Sequence, residues 1–583
     1  MPARDSLFLK GEKMEKWVVT AKKADFQSIG KKYGIDPVIA RLIRNRDVVE
    51  DEDIRRYLYG TVKELPSPWL LKDMKKTVDC IFEKIRENKK IRILGDYDID
   101  GVTSTYILLK GLKRLGARVD TYIPDRIADG YGIHLHLIEK ALEDGIDTVI
   151  TCDNGIAASE EIAYAKKKGM TLLVTDHHEI PFREEKGKKI WMLPPADAII
   201  NPKQQDCPYP QKNLCGGAVA FKLVSALYEA GRVPMEELED FYEFVAIATV
   251  GDVMDLQGEN RVLVKEGLNR LSHTKNPGLR ALIQANGLED SKITAYHVGF
   301  VLGPCINASG RLDTASRSLK LLCADSYDEA KRLAGDLTAL NVSRKALTEQ
   351  GKEQAFSLID TTSLREDPVL VVYLPDCHES LAGIIAGRIR EKYHKPAFVL
   401  TDGASCVKGS GRSIEAYSMY EELVKCADLL EQFGGHPMAA GFSLKKENVE
   451  TLRKRLNENC TLKKEDFIPK IVIDVPMPVS YISKNLVKQI SLLEPFGKGN
   501  TRPLFAQKGL RVLSGRILGR NQNVAKVTLM DSSGFTIDGI YFGEAREFLD
   551  YAEGKASVSV TYYPEINCYQ GREKMQAVIQ NYC

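Results

Sequence analysis

The 583-residue chain is predicted to be an α/β protein of several domains: a parallel-sheet domain, a long connecting helix, a smaller second α/β domain and a C-terminal β-barrel. Three observations predict this. Between about 90 and 255, apolar runs alternate with helical patterns, which implies parallel strands joined by right-handed crossovers. Residues 326–359 contain no proline and carry Leu333, Leu337, Leu340 and Leu347 near one helical face, as expected of a helix bridging two domains. From about 467 the pattern changes to short alternating strands with turn signals, the pattern of a small barrel.

The elements follow in order. "RDVVEDEDIRRYLYG" and "DMKKTVDCIFEKIRENKK" are amphipathic, so residues 1–75 read as a helical lead-in packing on the next domain. The runs "IRIL", "RVDTYI", "DTVITC", "TLLVT" and "ADAII" read as strands of the first sheet, within a domain spanning 76–285. A connecting helical region is expected over 286–360. "PVLVVYL" and "PAFVLTDG" read as strands around the helix "SLAGIIAGRIREKY", in a second α/β domain over 361–465 with two glycine-rich stretches, "VKGSGRS" and "FGGHPMAAG". The barrel domain takes 466–583, with strands "KIVIDV", "GLRVLSGRIL", "NVAKVTLM", "FTIDGIYF", "ASVSVTYY" and "KMQAVIQ".

Composition excludes several classes. Hydrophobic residues are 44% and charged residues 28%, as in ordinary soluble folds, and a net charge of +2 requires any nucleic-acid contact to use locally concentrated charge. The 12 cysteines form no C-x-x-C pair and fit a reducing cytoplasm. No signal peptide or membrane-length apolar run is expected, and no G-x-G-x-x-G follows the first strand, against a dinucleotide-binding dehydrogenase.

In open α/β sheets, ligands sit outside the carboxyl ends of the strands. Acids at those ends therefore matter. "ILGDYDIDG" carries Asp96, Asp98 and Asp100, three carboxylates that repel one another unless a cation or solvent intervenes. "TCDNGI" places Asp153 after a strand, where an Asx turn would explain it equally well. "TDHHE" follows another strand end: one imidazole can ligate a metal, the other can meet a phosphate, and Asp176 can accept a ring N–H. In "ATVGDVMDL", Asp252 is read as a fourth acidic strand end, while Asp255 suits a helix cap or an exposed acid. Together these suit two divalent metals with Asp153 as bridge, able to activate water and neutralise phosphoryl charge; manganese or magnesium fits the oxygen-rich set.

At these residues the sequence resembles the DHH phosphoesterase superfamily, and within it the RecJ branch of single-strand-specific 5′→3′ DNA exonucleases. "GDYDIDG" resembles the first RecJ motif, with isoleucine at 99 in place of the usual alanine; "CDNGI", "VTDHHE" and "GDVMDL" match the next three in order. "INASGRLDTA", "FGGHPMAAGFSL" of the partner DHHA1 domain and "EPFGKGNTRPLF" near the OB-fold extend the likeness over roughly 75–583. Departures are serine at 309, where alanine is usual, and Cys377, where tryptophan is common.

The resemblance implies a metal site of Asp96, Asp98, Asp100, Asp153, His177 and Asp252, with Asp176 behind it and His178 nearer the phosphate. It also implies that the DHHA1 domain holds the substrate terminus. Asn307, Ser309, Arg311, Ser410 and Arg412 are the phosphate-contact candidates, with Gly434, Gly435 and His436 forming a turn against a phosphate. For Arg311 the alternative is an interdomain salt bridge. Between Lys488 and Lys526 stand eight basic residues and one acid, interleaved with Phe496 and Phe505. Lys498, Arg502, Arg516 and Arg520 are therefore candidates for single-strand contact, although a charge run is often a solvated face and the phenylalanines suit a barrel core equally. The implied function is a Mn2+- or Mg2+-dependent single-stranded DNA exonuclease of repair and recombination. It is expected to be cytoplasmic and monomeric, with a single-strand-binding protein and a helicase as candidate partners. Two alternatives stand beside it, a DHH phosphodiesterase acting on short oligonucleotides and a non-catalytic DNA-binding scaffold.

Overall fold

The computed structural model describes residues 6–583 except Gly11, Glu12, Tyr131, Lys186 and Gln570. The chain divides into two units: a larger one of 61–460 with 497–499, and a smaller one of 1–60, 461–496 and 500–583. Among the described residues, no helix is long and apolar enough to cross a membrane.

In the larger unit the five expected strands form one parallel sheet. Its order is Arg118–Tyr122, Lys90–Leu94, Thr148–Cys152, Thr171–Thr175, Ala198–Ile200. The strand order reverses beside Lys90–Leu94, so a crevice opens where that strand and Thr148–Cys152 end. The central strands are buried on both faces, with threonine as their only polar residue type, as covered parallel sheets require. Helices Ile99–Arg114 and Gly216–Gly231 are each buried along nearly their whole length, which is why neither shows an amphipathic stripe.

The long helix runs Tyr327–Thr361, 35 residues, capped by the Ser326 hydroxyl. Leu333 and Leu337 are buried on it, but Leu347 is 42% exposed, so the leucine face ends before the helix does. Beyond it, strands Leu370–Tyr373, Ala397–Asp402, Val407–Arg412, Ala439–Leu444 and Leu430–His436 lie side by side in that order; only the first pair is parallel. Both glycine-rich stretches lie in strands of this sheet. The glycines of the first make room for rings crossing it: a Cβ on Gly409 would meet Phe442 at 2.2 Å, and one on Gly411 would meet Phe398 at 2.5 Å.

In the smaller unit, Phe505–Leu518, Val524–Met530, Thr536–Phe542, Arg572–Tyr582 and Val558–Tyr569 pair in a ring, because the last strand returns to the first. This is the expected OB-like barrel. Phe505 is fully buried in its core and Phe496 packs against that core, which decides between the two readings for Phe505. "KIVIDV" splits into Lys470–Ile473 and Val475–Pro476.

The N-terminal segment differs from expectation. Residues 6–19 hold two strands, Ser6–Lys10 and Lys13–Val19, the second pairing with Lys470–Ile473. Helices Pro37–Asn45 and Asp51–Tyr59 share the barrel's core rather than packing on the next domain in the chain. Buried Arg46 explains this: its Nε donates to Asn500 Oδ1 at 2.8 Å and its Nη2 to the Thr501 carbonyl at 2.6 Å, while Tyr57 donates to the same Asn500 oxygen at 2.7 Å. Pairing across 450 residues leaves no mark in local pattern.

Candidate active site

Every strand of a parallel sheet ends on the same edge, and here that edge gathers the acids. Asp96 lies two residues past Leu94, buried, with Oδ1 lacking any hydrogen-bond partner. Asp98 is the N-cap of Ile99–Arg114; its Oδ1 accepts from the Asp100 and Gly101 amides at 2.8 and 3.0 Å. Asp100 is fully buried and accepts from the Gly216 and Gly217 amides, both at 2.7 Å, at the N-terminus of Gly216–Gly231.

Asp153 follows Cys152 with φ of 62°, a left-handed conformation costly for a residue with a Cβ. The neighbouring Asn154 locks the turn by donating to the Gly95 carbonyl at 2.8 Å, joining two strand ends. Asp176 follows Thr175. Its Oδ2 accepts from the Ile156 amide at 2.9 Å, and its Oδ1 accepts from the His177 amide at 2.7 Å and lies 2.8 Å from His178 Nδ1. That contact orients the His178 ring through Nδ1. His177 presents Nε2 to Asp153 Oδ1 at 2.9 Å, Asp100 Oδ2 at 3.6 Å and Asp252 Oδ2 at 3.7 Å. The closest of these contacts is not in hydrogen-bond geometry, and both atoms remain unsatisfied.

Asp252 is not at a strand end. "FVAIATVG" belongs to helix Tyr242–Gly251, and Asp252 is its C-cap. An unbroken apolar run looks the same in a buried helix and a buried strand, so pattern alone misplaces it. A carboxylate at a helix C-terminus faces the wrong end of the dipole, an arrangement that a nearby cation would offset.

Charge follows from this crowding. Burial and the neighbouring Asp98 push Asp96 well above the usual carboxylate range. Burial and Asp100 do the same to Asp153. Asp100 is raised to about 6 by burial and Asp98, and Asp252 to about 8 by burial and Asp100. Burial and the charge on His178 lower His177 to about 3, so it is a neutral imidazole. For His178 burial is outweighed by the Asp176 hydrogen bond, which brings it to about 9; for Asp176 burial is outweighed by the same bond, which brings it to about 2. A divalent cation is the counter-charge that would let all these carboxylates ionise. Three sets bring ligand atoms within 4.8 Å of one another: Asp96–Asp98–Asp153, Asp100–His177–Asp252 and Asp153–His177–His178. The orphaned buried atoms of Asp96, Asp153 and His177 and the oxygen-rich donor set fit such ions.

A second feature adjoins this edge. A cleft of about 490 Å³ is lined by Tyr97 and Arg126 from the parallel sheet's loops and by Ser380, Lys408, Gln432 and Gly434 from the second sheet's domain. Arg126 stacks over the Tyr97 ring at 4.8 Å. Arg311 donates from Nη1 to the Ser380 carbonyl at 2.6 Å. Burial and repulsion from Arg126 lower it to about 10. Burial, with repulsion from Arg390 and Arg126, likewise lowers Arg412, whose Nη1 donates to the Gly411 carbonyl at 2.7 Å. No carboxylate pairs with Arg126, Arg311 or Arg412 among the described residues. The salt bridge considered for Arg311 is absent; a carbonyl holds it instead. Ser410 stands beside Arg412, since a Cβ on Gly383 would meet Ser410 Oγ at 2.7 Å and Arg412 Nη2 at 3.0 Å.

Other expected contacts fall elsewhere. Ser309 is fully buried, its Oγ donating to the Ile306 carbonyl at 3.0 Å and lying 2.7 Å from Ser318 Oγ, so it faces the core rather than a ligand. Asn307 Oδ1 accepts from the Ile99 amide at 2.8 Å and so positions the first acidic loop. Gly434, Gly435 and His436 are the end of strand Leu430–His436, not a turn; of the three, Gly434 lines the cleft. Lys498 lies 3.6 Å from Asp255, and Arg502 stacks over Tyr563 at 4.4 Å. Arg516 and Arg520 are exposed on the barrel unit. Sequence reasoning missed Arg126, although it stands past the carboxyl end of "RVDTYI", where the acids were sought.

Family models define the class of this protein. The DHH family N-terminal domain matches 90–249, the DHHA1 domain 366–461 and the RecJ OB domain 473–581. The chain is 36% identical over 560 residues to the single-stranded-DNA-specific exonuclease RecJ of Bacillus subtilis, covering 95% of this chain and 69% of that protein. It is 31% identical over 575 residues to the protein of the same name from Escherichia coli, covering 94% and 96%. The crystal structure of RecJ in complex with Mn2+ from Thermus thermophilus superposes with a TM-score of 0.82 at 28% identity, covering 97% of this chain and 79% of that one. The chain belongs to the RecJ family.

Proposed function

We propose that the protein is a metal-dependent exonuclease that hydrolyses single-stranded DNA from its 5′ end. One observation carries the reading: a buried carboxylate–histidine cluster with orphaned ligand atoms adjoins a cluster of arginines that, among the described residues, form no ion pair with a carboxylate. Curated relatives that match nearly the whole chain are named as single-stranded-DNA-specific exonucleases, and solved RecJ structures hold Mn2+ or Mg2+.

In this reading Asp96, Asp98 and Asp153 would hold one divalent ion, and Asp100, His177 and Asp252 the other. Bound there, the ions supply phosphoryl-charge neutralisation and an acidified water. The chain's own residues do the rest. Asp176 fixes the His178 ring so that Nε2 faces the scissile phosphate. Asn307 holds the first acidic loop. Arg126, Arg311, Arg412 and Ser410 take the terminal phosphate, and Tyr97, between two acids and under Arg126, links the two clusters. A cleft sized for one strand would exclude duplex.

The catalytic domain is taken as 76–285 and the DHHA1 domain as 361–465. The barrel, 466–583, with Lys498, Arg502, Arg516 and Arg520, is assigned to strand binding. The remaining assignments are a cytoplasmic location, a monomer, a role in repair and recombination, and a single-strand-binding protein and a helicase as partners; the 12 cysteines, with no C-x-x-C pair, support the first. The test is digestion of end-labelled single strands with Mn2+ or Mg2+, each end blocked in turn, beside blunt duplex. Loss of activity on blocking the 5′ end, with duplex resistant, is expected; 3′ polarity or equal digestion of duplex overturns the reading.

A further inference from the structure

The helix 295–312 carries Asn307 and Arg311, and its first half carries a feature that the site leaves unused. Residues Val298–Leu302 form a π-turn, a local irregularity that recurs at functional sites. Around it Tyr296 and Phe300 point into solvent, 63% and 67% exposed; no large hydrophobic among the described residues is more exposed than Phe300. Their rings stack on each other, centroids 5.1 Å apart and planes 27° apart. The pair is held rigidly: the Thr294 amide donates to His297 Nδ1 at 3.1 Å, and the His297 ring meets Tyr296 edge-on at 5.9 Å.

The same helix packs through its glycines on the elements of the candidate active site. A Cβ on Gly299 would lie 3.7 Å from Val250 Cγ1, and one on Gly303 would lie 3.1 Å from Ile99 Cδ1. Val250 is two residues before Asp252, and Ile99 stands between Asp98 and Asp100. Val253, the next residue after Asp252, is 60% exposed and held at φ of 55°, an outlier for a β-branched side chain. Exposed aromatic and aliphatic surface thus lies on the elements beside the carboxylate cluster.

We propose that Tyr296 and Phe300 form a stacking platform for a base of the DNA single strand, next to the metal-ligating end of the site. The proposal rests on the nuclease reading above. Exposure this high excludes a packing role. The exposed patch is a stacked pair of rings, so it offers flat π-faces. A nucleotide matches it, burying a base on a ring while its phosphate stays in water. A rigid pair also loses little freedom on binding.

The test is fluorescence anisotropy with a 5′-phosphorylated oligodeoxythymidylate in chelator, where nothing is hydrolysed. Tyr296→Ala and Phe300→Ala are each expected to weaken binding roughly tenfold, and Tyr296→Trp and Phe300→Trp to preserve it. A single abasic nucleotide, scanned along the strand, should weaken wild type at one position and leave the double alanine variant unaffected there. Metal-dependent hydrolysis of the p-nitrophenyl ester of thymidine monophosphate, too short to span both features, should survive in the variants. Unchanged binding by the double variant, or an abasic penalty that persists in it, overturns the platform. If wild type hydrolyses neither ester nor oligonucleotide, the nuclease reading falls, while the binding comparison still decides the platform.

Discussion

The two five-stranded sheets of the larger unit handle charge in opposite ways. The parallel sheet ends all five strands on one edge, so turns that are distant in sequence deliver Asp96, Asp153 and Asp176 to one place. The second sheet is mostly antiparallel and has no common carboxyl edge. Its candidate side chains come from the strands themselves, Ser410 and Arg412 on Val407–Arg412, and Gly409 and Gly411 of the same strand are spent on packing. The first region is acid crowded beyond what can ionise alone; the second gathers Arg126, Arg311 and Arg412, none of them in an ion pair with a carboxylate among the described residues, although Glu379 also lines the cleft. Each lacks the charge that a metal ion or a phosphate would bring.

The largest expected effect would break the acidic side. Asp153→Ala should lower Mn2+-dependent hydrolysis by about 10³-fold or more, read by single-turnover digestion, while binding in chelator changes little. Full activity in this variant would remove the proposed centre. Next is the support behind it. Asp176→Asn should weaken metal affinity or activity by about 10–100-fold, because the ring of His178 loses its charged partner. Titration calorimetry with Mn2+ would measure it, and unchanged affinity would assign Asp176 to folding alone.

The basic side should fail differently. Arg412→Ala should raise KM for a 5′-phosphorylated strand about tenfold, with kcat nearly kept and no effect on metal affinity. A loss in kcat alone would merge the two regions into one. The smallest effect is on stability. Asp100 and Asp252 are raised to about 6 and about 8, so the folded state holds protons that the unfolded chain has released. Their contribution is therefore present at low pH and lost as pH climbs through these values. In chelator, the melting temperature should fall by a few degrees between pH 5 and pH 8 relative to Asp252→Asn, and saturating Mn2+ should reverse the fall. A pH-independent difference would show that Asp252 is not part of the crowded set.

Much of this was legible in sequence because it is local. An acid one or two residues past an apolar run is visible wherever a strand stops, and Asp96, Asp153 and Asp176 were found that way. Asp252 was found for the wrong reason, since its apolar run is a helix. Gly434, Gly435 and His436 suggested a turn and end a strand instead, and the sequence of "VKGSGRS" cannot show the rings of Phe442 and Phe398 that need the space at Gly409 and Gly411. Ser309 lay in a motif and turned out to be core. Arg126 was passed over, having no acid or histidine beside it to draw notice.

The sequence by itself determined the parallel sheet, the long helix, the barrel and the acids at strand ends, because each depends on periodicity or on neighbours in the chain. Only the tertiary structure decided that residues 1–60 complete the barrel's unit, that Arg126, which lines the cleft, lies near enough to Arg311 and Arg412 to repel both, and that Tyr296 and Phe300 stand exposed on a helix packed against Val250 and Ile99. Those facts depend on which distant surfaces meet, and burial and charge balance are properties of the meeting, not of either segment.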